Sequence, residues 1–188
     1  MVETKSYIGL KKKFKELPDE TKSFLKGLES LLESPETFSV ALAFIFMKLE
    51  EGNHRALKCG LIRIDKCNSA KVDEALEKQH FTRAYFRSVF KNVFGDDLNS
   101  KLLGAIKVAE GVRDRLIHGK GATSPELRKG IENALVYVVE LGAYVEGRTK
   151  KNPFGNLQGL AGKATLMDTV PSYWLLKGLG LYNDKSSN

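Results

Sequence analysis

Apolar residues along much of the chain recur at three- and four-residue spacing, the period of an amphipathic α-helix. The pattern over residues 18–34 predicts one helix that opens on Pro18-Asp19-Glu20. Residues 35–51 are apolar nearly all round, which predicts a central buried helix that ends at Gly52-Asn53. A buried pair of strands is the alternative for this stretch, although its Ala, Met and Leu residues favour a helix.

Three further helices are predicted in the next part of the chain. Residues 54–70 show no clear pattern, but an aromatic stripe then leads to Gly95 and predicts a helix packed in the core. The apolar positions from Leu98 onward predict a helix that runs to His118, with Gly119 as its stop. Thr123-Ser124-Pro125-Glu126 predicts the start of a long helix that ends at Gly147. We therefore expect an all-α fold, a bundle of about five to six helices.

The composition changes after Arg148. Glycines at positions 155, 159 and 162 predict an extended loop, and their spacing matches no phosphate-binding motif. A short apolar segment around Trp174 is expected to pack back on the bundle. The predicted organisation is a helical bundle over residues 1–148 and a Gly-rich, loop-rich C-terminal extension over residues 149–188.

Composition narrows the class of protein. The 188 residues are 42% hydrophobic and 28% charged, and 30 Lys and Arg against 23 Asp and Glu give a net charge of +7. This is typical of a soluble globular domain. We expect no membrane span, because no apolar run of about 18 residues occurs. We also expect a cytoplasmic location, because residues 1–5 lack an apolar signal core.

The cysteines, the basic run near the start of the sequence and two of the histidines give only weak indications of a functional site. Cys59 and Cys67 form no Cys-x-x-Cys pair, so neither a structural zinc site nor a disulfide framework is predicted, and no cofactor is indicated. The basic run over residues 11–15 is typical of a solvated face, with contact to an anionic partner as the alternative. His80 is interpreted as structural or surface, and His54 as a loop residue that could line a phosphate site.

The stretch from Glu110 to Gly119 contains the main candidate functional residues. Arg113 and His118 are five positions apart at the end of a predicted helix, so on an ideal helix their side chains point about 140° apart. They can converge only if the helix ends at His118 or if a second copy of the protein supplies one of them. Asp114 and His118 are four apart and share a face, so Asp114 could accept a hydrogen bond from one ring nitrogen and fix the tautomer.

These residue types suit cleavage of a phosphodiester beside a ribose 2′-hydroxyl. A neutral His can take the hydroxyl proton, since its unperturbed pKa of about 6.5 is near working pH. Arg offers a planar fork of donors to the phosphate oxygens. No metal-ligand spacing is present. The structural alternative is a His that satisfies carbonyls at the end of its helix.

The segment Arg113-Asp114-Arg115-Leu116-Ile117-His118-Gly119 resembles the Arg-polar-x-x-x-His signature of the HEPN superfamily. The helix–loop–helix over residues 98–146 is similar to the family's arrangement. The resemblance implies a metal-independent endoribonuclease, often in toxin–antitoxin or antiviral systems, whose motif helices face each other in a homodimer. It implies that Arg113 and His118 are the catalytic pair and that Asp114 fills the polar position. Asp in place of the more usual Asn adds negative charge near a phosphate site.

Three functions follow as hypotheses. The first is an RNA-cleaving homodimer, with Arg115 and Lys120 as substrate-binding residues and with an antitoxin or complex partner. The second is a non-catalytic HEPN-like module that binds nucleic acid or protein through Arg113, Arg115 and Lys120, while His118 caps its helix. The third is a structural dimer subunit of a larger complex, with the segment around Trp174 as its docking element.

Overall fold

The computed structural model describes residues 7–162 and 166–182, and over these residues it is α-helical without strands, which confirms the predicted all-α fold. The described residues contain nine α-helices, and a 3-10 turn (Pro35–Thr37) precedes the fourth. The helices are α1 (Tyr7–Lys15), α2 (Asp19–Phe24), α3 (Leu28–Leu31), α4 (Phe38–Arg63), α5 (Ser69–Glu77), α6 (Arg83–Phe94), α7 (Ser100–Ile117), α8 (Ser124–Thr149) and α9 (Thr169–Gly178).

Two stretches that were each predicted as one helix are divided. Residues 18–34 form α2 and α3, because Gly27 between them adopts a left-handed conformation with φ of 99°. The aromatic stripe is divided between α5 and α6. Thr82 caps α6, since its hydroxyl accepts a hydrogen bond from Tyr85 N at 3.2 Å. His80 lies in the intervening loop and is exposed.

Two helices are longer than predicted. Helix α4 continues through Gly52-Asn53 to Arg63, so His54 lies on a helix and not in a loop. Gly52 is buried, and a glycine inside a helix costs only about 1 kcal/mol, which the apolar packing on either side offsets. Helix α8 likewise passes Gly147 and ends at Thr149. The prediction that α4 is buried all round was also wrong, because Val40 and Met47 are exposed.

The described chain divides into two compact units. The first holds the residues up to Gly52 together with Asn99–Ala143, and so contains α1 to α3, α7 and parts of α4 and α8. Its core is built from apolar side chains of α1, α3, α4, α7 and α8, together with Leu25 directly after α2. The buried members include Leu10, Phe14, Leu25, Leu28, Leu42, Ile45, Leu102, Ile106, Val112, Ile131, Leu135 and Val138. Helix α8 approaches α7 closely at Gly130, where a Cβ would lie 3.2 Å from the Cβ of Val112.

The second unit holds Asn53–Leu98 and the described residues from Tyr144 onward. Phe90 and Phe94 of α6 stack at its centre with ring centroids 4.4 Å apart. Gly60 of α4 lies against this helix so closely that a Cβ would be 2.9 Å from Phe94 Cζ. Helix α9 packs against α5, and Ser172 Oγ accepts a hydrogen bond from Asn68 N at 2.8 Å.

No helix among the described residues combines the length and the apolar character that crossing a membrane requires.

Candidate active site at the end of helix α7

Helix α7 ends where the sequence predicts. His118 is its C-cap residue, and Gly119 follows in a left-handed conformation with φ of 67°. Gly119 N donates to Leu116 O at 3.1 Å, and Lys120 N donates to Arg115 O at 2.9 Å. These two bonds form a Schellman motif, which satisfies the carbonyls of the last turn. The backbone around His118 is therefore fixed by a regular helix end, and the residue itself is exposed.

A carboxylate ties the end of α7 to the start of α8. One oxygen of Glu126, Oε2, accepts from the backbone N–H of Thr123 at 2.8 Å and from its hydroxyl at 2.9 Å. The other oxygen accepts from Arg115 Nη1 at 2.8 Å. These donors lower the pKa of Glu126 to about 2, with the Thr123 backbone N–H as the largest cause. Thr123 thus marks the helix start as predicted, while Arg115 forms an intramolecular ion pair.

Arg113 is held on two sides. Its guanidinium lies over the ring of Phe46 on α4, 4.5 Å from the ring centroid, in a cation–π contact. Its Nε and Nη2 both donate to Oδ1 of Asp114, at 3.0 Å and 2.7 Å. Among the described residues, Nη1 of Arg113 has no hydrogen-bond partner. The guanidinium is therefore positioned by Phe46, and one edge of its donor fork is already occupied by a carboxylate.

Asp114 does not orient His118 as the sequence suggested. Its carboxylate bonds to the neighbouring Arg113, and the link between Asp114 and His118 is a backbone one, from His118 N to Asp114 O at 3.0 Å. The physical reason is competition from the neighbouring guanidinium. Arg113 donates to Oδ1 of Asp114 through both Nε and Nη2, and a charge-assisted pair of bonds to an adjacent arginine is preferred over a bond to the exposed imidazole.

Arg113 and His118 have different surroundings within one chain. No hydrogen bond joins their side chains in the described part of the protein. Arg113 also lines a groove between α4 and α7 that does not include His118. Lys120 follows Gly119 on the exposed loop after the helix. The divergence expected from the five-residue spacing stays a prediction.

The groove beside Arg113 is apolar and open. Ile117 of α7 is 70% exposed, and Met47 and Val40 of α4 are 56% and 54% exposed. These three aliphatic side chains line one groove and together form an exposed apolar face. Sequence reasoning missed this face, and it missed Phe46 as the support of Arg113. The sequence did contain a signal for this face. Residues 35–51 are apolar nearly all round, and such a helix keeps an exposed apolar stripe where neighbouring helices cover only part of its surface.

The remaining candidate residues are buried or are engaged by neighbouring side chains. Cys59 and Cys67 are buried, and burial raises the pKa of each thiol to about 11. His54 packs edge-on against the ring of Phe81 at 4.8 Å. In the basic run, Lys13 pairs with the buried Glu132. No group of three or more His, Cys, Asp and Glu side chains in the described ranges is placed to hold a metal ion.

Comparison with known proteins gave no match: no family model matches the sequence, and neither a curated protein nor a solved structure is significantly similar to the chain.

Proposed function

We propose that the protein is a metal-independent endoribonuclease of the HEPN type, with Arg113 and His118 as its catalytic pair. The observation that carries the proposal is the form of the α7 end. His118 is the exposed cap residue, and Arg113 lies just over one turn earlier, held on the face of Phe46. The Schellman motif fixes the backbone at the end of α7, and the Glu126 carboxylate links this end to the start of α8.

The proposed reaction uses groups that these residues supply. His118 takes the proton of a ribose 2′-hydroxyl, and the 2′-oxygen attacks the adjacent phosphorus. Arg113 donates hydrogen bonds to the non-bridging oxygens, on which negative charge builds in the transition state. The bond from phosphorus to the 5′-oxygen breaks, and an imidazolium returns a proton to that oxygen. The products are a 2′,3′-cyclic phosphate and a 5′-hydroxyl.

A second copy of the chain completes the site in this proposal. On an ideal helix the five-residue spacing directs Arg113 and His118 about 140° apart, so the proposal pairs the Arg113 of one copy with the His118 of the other. The exposed apolar face of Val40, Met47 and Ile117 lies directly beside Arg113 and supports association there. Burial of these three side chains would contribute several kcal/mol, on the order of 1 to 2 kcal/mol each.

Asp114 modulates the site in the proposal. Because its carboxylate holds Nε and Nη2 of Arg113, an incoming phosphate has to compete with an internal anion. A site of this kind has low affinity until the phosphate or a regulator displaces Asp114. This agrees with a nuclease of a toxin–antitoxin or antiviral defence system, whose activity an antitoxin or complex partner controls.

One observation favours a second candidate, a non-catalytic module that binds nucleic acid or protein. Both arginines of the motif are engaged internally, Arg113 with Asp114 and Arg115 with Glu126, as in a purely structural helix end. Lys120 and the exposed groove would then supply the contacts. The two functions are separated by RNA cleavage in EDTA, with end-group analysis of the products and with Arg113 and His118 substituted in turn.

A further inference from the structure

Phe46 gives Arg113 a rigid contact. Its side chain is 6% exposed on α4, and its helix neighbours Ile45 and Leu49 are buried as well. A ring packed in this way keeps one orientation. The guanidinium of Arg113 lies 4.5 Å from the ring centroid, while 29% of the arginine side chain stays exposed. The negative face of the ring attracts the cation, so the ring is a fixed support for the guanidinium.

The two contacts of Arg113 respond differently to a phosphate. Asp114 accepts hydrogen bonds from Nε and Nη2, which are donors that a phosphate also uses, so a phosphate on this edge displaces the carboxylate. The Phe46 ring takes up no hydrogen-bond donor, and its contact with the guanidinium persists when the carboxylate leaves. Of the two contacts, the ring is therefore the one that holds Arg113 in place while a phosphate is bound.

A fixed guanidinium matters most in the transition state. An arginine without a support samples many rotamers, and ordering it costs conformational entropy. Such an arginine still pairs with the phosphate of bound RNA, because its long side chain follows the phosphate. Stabilisation of the transition state instead needs donors that already point at the oxygens on which charge builds. Loss of the ring is therefore expected to slow cleavage more than it weakens binding.

We propose that Phe46 is a positioning residue, whose ring holds the Arg113 guanidinium in place while the Asp114 carboxylate is exchanged for an RNA phosphate. Asp114 then sets how tightly RNA binds, and Phe46 sets how fast the bound RNA is cut. The inference rests on the proposed function for its substrate, but the order of the Arg113 side chain is measurable without any RNA.

Fluorinated phenylalanines test the ring with little change in its size. Placing 4-fluoro-, 3,5-difluoro- and 3,4,5-trifluorophenylalanine at position 46 withdraws electron density from the ring face in steps and weakens its attraction for a cation. We expect the single-turnover cleavage rate to fall in steps, to about one tenth of the parental rate at three fluorines. The Kd of a 12-nucleotide 2′-O-methyl RNA, which cannot be cut, should stay within about 2-fold. A ring that only fills space would give the same rate at every step.

A matched pair of core variants separates positioning from loss of packing. Phe46→Leu removes the ring beside Arg113, and Phe14→Leu removes a ring of similar burial, 4% exposed, from α1 of the same unit. We expect Phe46→Leu to slow cleavage about 10-fold and Phe14→Leu to leave the rate unchanged, at a temperature at which circular dichroism shows both proteins folded.

The order of the Arg113 side chain is read from its Nε–H resonance in the ¹⁵N-labelled protein, assigned by its loss in Arg113→Ala. The parent should have an order parameter above about 0.8. Asp114→Ala should keep this value, because the ring remains, whereas Phe46→Leu should lower it below about 0.6. This measurement compares the two contacts of Arg113 directly.

Three results would overturn the proposal. They are an unchanged rate across the fluorinated series, equal slowing by Phe14→Leu and Phe46→Leu, and loss of Nε order in Asp114→Ala with retention in Phe46→Leu. The proposed function fails in a different way. A parent that cuts no RNA, but whose Arg113 order depends on Phe46, would remove the nuclease and leave the positioning role in place.

Discussion

The guanidinium of Arg113 and the carboxylate of Asp114, adjacent on α7, form an ion pair in which Nη2 lies 2.7 Å from Oδ1. The pair neutralises the residue that the proposed reaction needs for binding phosphate. The side chain of Asp114 is half exposed, and solvent screens such a pair, so its strength is modest. An RNA phosphate carries the same single negative charge, and it can replace this weakly held carboxylate without the protein refolding around it.

Replacing Asp114 with Asn is therefore expected to strengthen RNA binding. Loss of an exposed pair of this kind corresponds to about a 2- to 5-fold gain in affinity for a phosphate. The measurement is anisotropy of a labelled 12-nucleotide RNA, on a His118→Ala background that leaves the RNA intact. Glu36→Gln removes one exposed negative charge from the same unit and serves as the control. Equal affinities of the Asp114→Asn and Glu36→Gln proteins would show that Asp114 does not compete with phosphate.

Mixing two inactive variants tests whether the site is shared between copies. If Arg113 of one chain acts with His118 of the other, a heterodimer of Arg113→Ala and His118→Ala contains one intact site and one doubly damaged site. After exchange of subunits, random pairing should restore about a quarter of the parental RNase activity. Absence of any restoration, with exchange verified by native mass spectrometry, would place both residues in one chain or remove their roles.

The Glu126 carboxylate should make the stability of the α7–α8 corner depend on pH. Because the folded state lowers its pKa from 4.5 to about 2, its contribution is present above pH 4.5 and is lost as the pH falls towards 2. Glu126→Gln should thus lower the melting temperature at pH 7, and the difference from the parent should narrow towards pH 2. Glu146 is exposed on the same helix, and Glu146→Gln should have nearly the same melting temperature as the parent at each pH. If Glu126→Gln melted below the parent by the same amount at every pH, the ionised Glu126 carboxylate would not be the source of the stability.

Two glycines on helices should respond in opposite directions to replacement by Ala. A Cβ at Gly60 would lie within 2.9 Å of the buried Phe94 ring, so Gly60→Ala should lower the free energy of unfolding by about 2 kcal/mol. A Cβ at Gly104 on α7 would meet no atom within 4 Å. Gly104→Ala should therefore raise the free energy of unfolding by about 0.5 to 1 kcal/mol. Urea titration measures both changes, and equal effects would contradict the close contact of α4 with α6.

Local signals in the sequence predicted much of this fold. The all-α class, the end of α7 at His118 and the start of α8 at Thr123 followed from helical periodicity and from capping residues, which act within one turn. The same reasoning placed a helix stop at Gly52-Asn53, but packing of the flanking residues carries α4 through it. Gly27 had the opposite effect, because its left-handed backbone divides a continuous apolar pattern.

The surroundings of the candidate site were less accessible to sequence reasoning. Periodicity placed Arg113, Asp114 and His118 on one helix and predicted their divergence. It could not show that Asp114 bonds to Arg113, since a carboxylate has several partners within reach and local geometry selects one. The support from Phe46 depends on how α4 packs on α7, which no spacing along the chain specifies.

The most direct test of the central claim is incubation of the purified protein with labelled RNA in EDTA, beside His118→Ala and Arg113→Ala. We predict that the parent alone cuts the RNA and leaves 2′,3′-cyclic phosphate ends, while both variants remain folded by circular dichroism. Cleavage by His118→Ala at the parental rate, or products that carry 3′-hydroxyl ends, would contradict it.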